Sequence, residues 1–417
     1  MSKATVIVTL LVQLLTISAL AHQGLAPEEI VFFEEPDQAR VAAMLMTGDA
    51  HLNAMAFADG SYAGHIPDDK TVHFRGGIYT WAHTASYLDT DGGTVLGGTL
   101  RVAAPSILTG AWNPIAGTNW LFDQAIQRAT EDWFLFPDPY SGLYYSHLVE
   151  EATCTIVQPL QMVSTLSWVN VEAAAEIVVP EDAWVDWNAN LETFITRSEA
   201  FPNGLSAATK TVCTFSDQLF ETKWHDGSGF SIADMLMRFV TALTSLGPST
   251  SPFRGARLTS LDPVIIEVYH DGAYSTAEAQ VFHRIGDLFW PYYGTGMAPW
   301  HAVAVGMRAE DSRSGATTGE PLDWIVGATS SKLLGNALEG SHASRFIPYE
   351  PVLGQYVTSD EVASRYANLG GFLDAHDHMW VGNGPMVIES VDSIARIVVG
   401  KRFEGYTHEM DGFLVNP

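Results

Sequence analysis

The apolar residues of this chain occur in short segments that alternate between strand-like and helix-like spacing. Ile30-Val31-Phe32-Phe33 is an uninterrupted apolar run of strand length, and the next element has helical character. Asp37 is placed to cap a helix over residues 38–46, and Gly48 is placed to end it. No internal repeat of fixed period and no regular strand–helix–strand rhythm appears, so the pattern predicts a mixed α/β protein.

The strongest helix signal follows Ser231, a candidate N-cap, with Asp234 at the third helical position. Ile232, Met235, Leu236, Phe239, Val240 and Leu243 fall on one helical face, and Gly247-Pro248 closes the segment. We also predict helices near residues 121–130, 277–288 and 359–373. Predicted strands cover residues 99–103, 155–179 (as two strands), 210–215, 264–269, 386–390 and 394–399.

The first 21 residues have the features of a secretory signal. Lys3 precedes an apolar run up to Leu20, and Ala19-Leu20-Ala21 forms a small-residue cleavage site. An uncleaved membrane anchor is the alternative, because the run is close to the roughly 20 residues that span a bilayer. In either case we expect the rest of the chain to lie outside the cytoplasm, in a periplasmic or cell-surface location.

Composition excludes several classes of protein. A 47% hydrophobic content argues against disorder, and a formal charge of -27 would repel the phosphates of nucleic acids. The only cysteines are Cys154 and Cys213, too few for a disulfide-stapled scaffold. Whether these two pair is left open by the sequence.

Few residues point to catalysis. The nucleotide-binding glycine motifs, the zinc helix and the nucleophile elbow are all missing from the sequence. The cluster Asp374, His376, Asp377 and His378 could hold a metal only if it were extended, and a solvated helix end is the simpler interpretation. The adjacent pairs Glu34-Glu35 and Glu150-Glu151, with twelve tryptophans, leave an exported glycan hydrolase as a minor alternative. We therefore expect no catalytic residue, no metal and no cofactor.

Several segments resemble a known family. Trp224-His225-Asp226-Gly227, followed by Phe230 and by Asp234 at a helix start, is similar to the W-H-D-G-x-P-F-x-A-x-D-V pattern of family 5 of the extracytoplasmic solute-binding proteins. These are the dipeptide, oligopeptide and nickel-type binding components of ABC importers. The chain departs from the pattern at Gly229, where the family prefers proline, and at Met235.

Three further segments carry the same resemblance. Gly382-Asn383-Gly384-Pro385 is similar to the family's G-T-G-P-Y turn, and Lys401–Tyr406 resembles the stretch that follows it. Residues 97–103 with Trp112-Asn113-Pro114 resemble the family's mature start, and residues 261–267 resemble a further strand of the same lobe. By their type, Asp226-Gly227 should form a turn, and Gly382 and Gly384 should permit unusual backbone angles.

Residues 28–57 resemble the family segment that crosses to the second lobe, yet here they precede the mature-start motif. The motif order is therefore circularly shifted, and only residues 59–96 are left where a large lobe would be expected. We expect a signal peptide at 1–21, the crossing segment at 22–58, a loop-rich remnant of the second lobe at 59–96, and the main lobe at 97–417. The resemblance implies one or more lobes of the type II periplasmic-binding-protein kind.

The resemblance also implies the function. We expect an exported binding component that captures peptides or oligosaccharides non-covalently and delivers them to an ABC importer permease. The candidate ligand-binding residues are aromatic and polar groups beside the motifs, namely Trp112, Asn113, Trp120, Asp138 and Trp380. A non-binding remnant or interaction module is the alternative, because the second lobe is reduced.

Overall fold

The predicted strand–helix unit near the start of the chain is present in the computed structural model, which describes residues 28–54, 87–88, 94–95, 98–118, 120–137, 142–245, 252–313 and 321–406. Strand β1 covers Glu29–Glu34 and helix α1 covers Gln38–Thr47. The Asp37 carboxylate accepts the amide of Ala39 at 2.9 Å, and Gly48 ends the helix at φ 82°. A left-handed backbone of this kind carries no penalty for glycine, so the predicted cap and stop are both confirmed.

The chain divides into two compact units, which group its residues differently from the predicted domains. Of the described residues, those up to 110, 120–131 and 384–406 belong to the first unit, and 111–118 and those between 132 and 383 belong to the second. The predicted main lobe at 97–417 is therefore split between them. The predicted signal peptide lies outside the described residues, as does the predicted remnant at 59–96 apart from two short strands.

The first unit is built on a five-stranded sheet of order β17-β18-β1-β5-β2. Strand β1 pairs in parallel with β5 and antiparallel with β18, so it lies between segments from opposite ends of the chain. Helix α1 packs Val41 and Leu45 against Ala103 of β5. The other elements of this unit are β2 (Leu52–Asn53), β3 (Tyr87–Leu88), β4 (Thr94–Val95), β5 (Thr99–Ala104), α2 (Leu121–Ala129), β17 (Met386–Asp392) and β18 (Ile397–Arg402).

The second unit is built on a seven-stranded sheet of order β12-β11-β15-β16-β14-β8-β9, in which only β8 and β9 run parallel. Its strands are β6 (Leu135–Pro137), β7 (Tyr144–Ser146), β8 (Val149–Val157), β9 (Val169–Ala174), β10 (Ile177–Val178), β11 (Trp184–Asn188), β12 (Thr193–Thr196), β13 (Ser206–Ala207), β14 (Thr209–Phe215), β15 (Phe253–Leu261) and β16 (Val264–His270). Strand β16 therefore belongs to a different unit from β5, whereas the sequence placed both in one lobe.

Helices cover the seven-stranded sheet and form the rest of the second unit. They are α3 (Arg197–Ala200), α4 (Ile232–Ser245), α5 (Ala277–Phe289), α6 (Trp300–Arg313), α7 (Ala328–Ser344), α8 (Glu350–Leu353) and α9 (Ser359–His376), with a 3₁₀ turn at Asp217–Glu221. The apolar face predicted for α4 is buried along its whole length. Mixed sheets flanked by helices confirm the predicted α/β class.

The two cysteines lie on one face of the seven-stranded sheet, on the paired strands β8 and β14. Cys154 is opposite Thr211 and Cys213 is opposite Ala152, so the two are diagonal neighbours. Diagonal positions are roughly 7–8 Å apart, beyond the reach of an unstrained disulfide. Both thiols are free and buried. Burial raises the pKa of Cys154 to about 12 and also raises the pKa of Cys213.

No helix among the described residues is long and apolar enough to span a membrane.

Candidate functional site

Three of the five candidate ligand-binding residues are buried in the interior of the second unit. Trp112 and Trp380 pack edge to face with ring centroids 5.2 Å apart, and each is 1% exposed. The side-chain Oδ1 of Asn113 accepts the amide of Ile115 at 3.0 Å, and its Nδ2 donates to the main-chain carbonyl of Leu322 at 3.1 Å. These contacts make the three residues part of the framework.

The remaining two candidates lie elsewhere. Trp120 belongs to the first unit, is 40% exposed, and donates its indole N–H to the carbonyl of Ser106 at 3.3 Å. Asp138 lies outside the described residues. Trp120 is therefore the one candidate among the described residues that presents a large ring surface to solvent.

The segment that carries the family resemblance forms a tight hairpin in the second unit. The amide of Trp224 donates to the carbonyl of Ser228 at 2.8 Å, and the amide of Gly227 donates to the carbonyl of Trp224 at 2.8 Å. Gly227 has φ 86°, so the predicted Asp226-Gly227 turn is confirmed and depends on the backbone freedom of glycine.

Asp234 joins this hairpin to helix α4, as its position at the third helical residue predicts. Its Oδ2 accepts the amide of Ser231 at 2.8 Å and the indole N–H of Trp224 at 3.3 Å. Its Oδ1 accepts the amide of Trp300 at 2.8 Å, at the start of α6. One fully buried carboxylate thus connects the hairpin and two helices.

Two further ionisable groups, neither of which the sequence predicts as part of a site, complete a buried network around the hairpin. The Nε2 of His301 lies 2.7 Å from Oδ2 of Asp226, and neither side chain has any exposed surface. Arg365 of α9 approaches Asp234 at 3.5 Å and bonds to Glu361 at 2.9 Å. Neither group lies in a motif, and their sequence positions give no signal that they converge on Asp226 and Asp234.

The electrostatics of Asp226 reflect this environment. Burial alone would raise the pKa of Asp226, since water stabilises the charged carboxylate. The charge and hydrogen bond of His301, with hydrogen bonds from Ser228, outweigh that effect, and the pKa lies below its usual value. The carboxylate therefore stays ionised and fixes the turn that contains it.

The second motif contacts the first. The amide of His225 donates to the carbonyl of Gly382 at 2.9 Å, and the amide of Gly382 donates back to Nδ1 of His225 at 3.2 Å. Asn383, which replaces the family's threonine, uses both amide atoms on the main chain of Asp132 at 3.0 and 3.1 Å. The two motifs, far apart in sequence, are therefore held together by reciprocal hydrogen bonds.

The prediction for the backbone of Gly382 and Gly384 is wrong, because neither has a positive φ. Gly384 is required for another reason. A Cβ at this position would lie 2.5 Å from the amide nitrogen of Glu131 and 2.6 Å from its carbonyl oxygen, closer than any side chain can approach. Pro385, which follows, accepts the amide of Phe403 at 2.8 Å.

The two pairs of adjacent glutamates, which the sequence leaves as possible catalytic carboxylates, have structural roles. Glu34 accepts the amide of Ile107, and Glu35 accepts the amide of Asp37, each at 3.0 Å. Glu150 and Glu151 are consecutive residues of β8, and consecutive strand residues point to opposite faces. Neither pair places two carboxyl groups across a cavity.

The aspartate–histidine cluster spans the end of helix α9. The helix ends at His376, and Asp377 follows in a left-handed conformation with φ 60°. His378 is buried, and its Nδ1 accepts the amide of Trp380 at 3.2 Å. Among the described residues, no three His, Cys, Asp or Glu side chains form a group that could hold a metal.

A small pocket opens between the hairpin and α9. It has a volume of about 290 Å³ and is lined by Gly227, Ser228, Gly229, Phe230, Glu361, Ser364, Arg365 and Asn368. Its floor is the buried network described above, because Arg365 contacts both Asp234 and the carbonyl of Gly229.

Comparison with known proteins found no family model that matches this chain and no significantly similar curated protein.

Proposed function

We propose that this chain is the exported solute-binding component of an ABC importer. It captures peptides or oligosaccharides without changing any covalent bond and passes them to a membrane permease. It uses no cofactor and acts outside the cytoplasm.

The observation that carries this proposal is the meeting of the segments that resemble the family. The Trp224–Asp234 motif and the Gly382–Pro385 motif are joined by the two hydrogen bonds between His225 and Gly382. In the first unit, the mature-start strand β5, the crossing segment β1 and the hairpin β17-β18 are neighbours in one sheet. The resembling segments therefore meet within each unit, which supports the proposal, whereas β16 lies in a different unit from β5 and does not add to it.

A non-binding interaction module remains the second candidate, and the burial of Trp112, Asn113 and Trp380 favours it. These three residues are predicted ligand contacts, yet all are at most 1% exposed. A solute could reach them only if the core opened. The two candidates therefore differ in a measurable property, which is whether any small solute stabilises the folded protein.

A thermal-shift screen separates the two. The chain from residue 22 onward is mixed with peptides of two to five residues, with neutral oligosaccharides and with nickel. A ligand at 100 times its dissociation constant should stabilise the protein by about 2.7 kcal/mol. A shift with one solute class supports the importer component, whereas no shift with any class contradicts it and leaves the interaction module.

The exposed candidate Trp120 then provides a matched pair of variants. Trp120→Ala should weaken binding of the stabilising solute, while Phe201→Ala removes a ring that is 44% exposed in the second unit and should leave binding unchanged. Export is tested separately by fusing residues 1–21 to a reporter that is active only outside the cytoplasm. Retention of the reporter in the cytoplasm would contradict the proposed location.

A further inference from the structure

The seven-stranded sheet of the second unit ends at β9. Among the described residues, no strand pairs with the outer side of β9, while its inner side pairs in parallel with β8 from Val169 to Ala174 without a register shift. The other outer strands of the two large sheets are interrupted or shorter. Strand β17 has a register shift after Ile388, β12 has four residues and β2 has two. Strand β9 is therefore the longest regular edge of these two sheets.

The hydrogen bonds between β8 and β9 show which main-chain groups of β9 face outward. The amide of Ala152 on β8 donates to the carbonyl of Trp168 at 2.9 Å. In a parallel pair with this register, the main-chain groups of Asn170 and Glu172 point towards β8, because successive residues of a strand direct these groups to opposite sides. The groups of the alternate residues, Val171 among them, point away from the sheet.

Val171 and Ala173 form the open part of this edge. Val169 has the same orientation, but its carbonyl already accepts the hydroxyl of Ser164 at 2.6 Å, which closes the edge at that end. Ala173 is exposed and Val171 is half-buried. Two amides and two carbonyls are therefore directed outward, in the geometry with which a further strand pairs.

The sequence of β9 does not protect this edge. Proteins usually prevent pairing at an open edge with a lysine, a proline, a bulge or a very short strand. The six residues of β9, which read VNVEAA, contain no lysine and no proline, and their pairing with β8 has no bulge. This edge is therefore suited to pairing with another chain.

The exposed face of the edge is negative. Glu172 lies opposite Thr155 of β8, and Thr155 lies opposite Lys210 of β14, so the three residues form one row across the sheet. Lys210 is directed to Glu267, which it contacts at 2.9 Å. Glu172 is exposed and has no ion pair within the described part of the chain. A basic side chain next to the edge would therefore meet an unpaired carboxylate.

We propose that β9 pairs with an extended segment of a partner protein in which apolar and basic residues alternate. Main-chain hydrogen bonds to Val171 and Ala173 hold the segment, as in other cases of strand addition. The side chains that lie beside these two residues are apolar, because Val171 shares the face of Cys154, which is buried against helix α5. The side chains on the other face meet Glu172 and are basic.

A second copy of this chain fits the edge less well. The register that uses both open residues of each copy would place Glu172 directly opposite its own counterpart, and like charges in that position destabilise a pair of strands. The surface is also separate from solute capture, because it recognises the middle of a segment and involves none of the candidate ligand-binding residues.

Isothermal titration of the full chain with short peptides tests the proposal. All peptides are acetylated at the amino terminus and amidated at the carboxyl terminus, so neither terminus contributes a charge. The probe alternates lysine and valine over six residues. One control replaces each lysine with glutamate, and the other has three lysines followed by three valines, with the same charge but no alternation. We expect the probe to bind at least roughly tenfold more tightly than either control.

Two methylated forms of the probe test the main-chain pairing. In a bound strand, the amides of alternate residues face β9 and the others face solvent. One form is methylated on its valine amides and the other on its lysine amides. We expect one form to lose binding and the other to keep it, because only one set of amides faces the edge.

Three variants locate the surface. Ala173→Pro removes an outward amide and keeps the pairing of β9 with β8, since proline is tolerated where the N–H of a strand faces solvent, and it should weaken binding at least roughly tenfold. Glu172→Lys reverses the charge of the edge and should have a similar effect. Glu339→Lys makes the same change of charge at an exposed position of helix α7, which packs on α6 and α9, and should leave binding unchanged.

Several outcomes would overturn the proposal. They are equal binding of the unalternated peptide, retained binding of both methylated forms, and unchanged binding in Ala173→Pro. Sedimentation of the chain alone adds a further test, because a dimer that Ala173→Pro dissociates would assign the edge to a second copy instead. Stabilisation by a solute should be the same in Ala173→Pro as in the native chain, so failure of this proposal and failure of the importer component are distinguishable.

Discussion

Removing the carboxylate of Asp234 should destabilise the second unit more than any other single change in the buried network. Asp234→Ala deletes an acceptor for the amides of Ser231 and Trp300, and it leaves the guanidinium of Arg365 without its buried anionic partner. Breaking a buried ion pair on one side typically costs about 3–5 kcal/mol. We expect a loss of about 4 kcal/mol in the free energy of unfolding, because Arg365 keeps its contact with Glu361.

Urea unfolding followed by tryptophan fluorescence measures this loss. Six tryptophans of the second unit are almost completely buried, so their emission reports on its unfolding, and they are Trp112, Trp224, Trp290, Trp300, Trp324 and Trp380. With an m-value of about 3 kcal/mol per M, a loss of about 4 kcal/mol lowers the urea midpoint by roughly 1.3 M.

The matched control keeps the same arginine and removes its outer partner. Glu361 is one-third exposed, so Glu361→Gln should cost less than about 1 kcal/mol, as is usual for ion pairs that water screens. If Asp234→Ala costs no more than Glu361→Gln, the buried carboxylate does not organise the hairpin and the reasoning fails.

Three other predictions concern separate parts of the chain. The thiols of Cys154 and Cys213 should react with a colorimetric thiol reagent only after unfolding, since both are buried and their pKa values are raised. Rapid reaction of the native protein would contradict this, as would the absence of reaction after unfolding without a reductant. Gly384→Ala should lower the thermal midpoint, because the added Cβ would lie 2.5 Å from a main-chain atom. The control Gly370→Ala has open space around the added Cβ in helix α9 and should raise the free energy of unfolding by about 0.5–1 kcal/mol. Equal effects of the two substitutions would exclude the steric explanation. Burial and the nearby charge of Arg284 lower the pKa of His270 from 6.5 to about 4. Below pH 6.5 the unfolded chain therefore binds a proton that the folded protein does not, so the contribution to stability is full above pH 6.5 and declines towards pH 4. The difference between the urea midpoints at pH 7 and pH 5 should be smaller in His270→Gln, and an unchanged difference counts against the assignment.

The sequence predicts correctly those helices whose cap residue, apolar face and stop residue all agree with the burial of the helix in the folded protein. Helix α4 has a cap, a continuous apolar face and a glycine-proline stop, and its apolar face is buried as expected. Helix α1 was predicted to within a residue, because Asp37 and Gly48 act through their immediate neighbours.

The elements missed by the sequence analysis lack such local signals. Helix α6 is buried on nearly all sides over its first half, so its apolar residues show no helical period that could distinguish it from a strand. The last strand was predicted to start at Ile394, but Asp392 accepts the amides of Ile394 and Ala395 and makes a turn there. Strand β18 consequently begins at Ile397, and Ile394 is 95% exposed.

The candidate site was harder to predict than the fold. Aromatic and polar groups beside motifs often contact ligands, which is why the sequence favours Trp112, Asn113 and Trp380. The same properties suit a residue that holds a hydrophobic core together. His301 and Arg365 approach Asp226 and Asp234 only through tertiary folding. A single sequence does not show which distant charges will meet, so the pocket above them could not be foreseen.

The position of β1 has a consequence for how the protein is made. Glu29 pairs with Lys401, so one neighbour of β1, the first strand of the described residues, emerges from the ribosome only after the whole intervening chain has been synthesised. Pairings this distant in sequence form slowly, since a very long loop must close first. During synthesis, this sheet therefore stays incomplete until the strands near residue 400 have emerged.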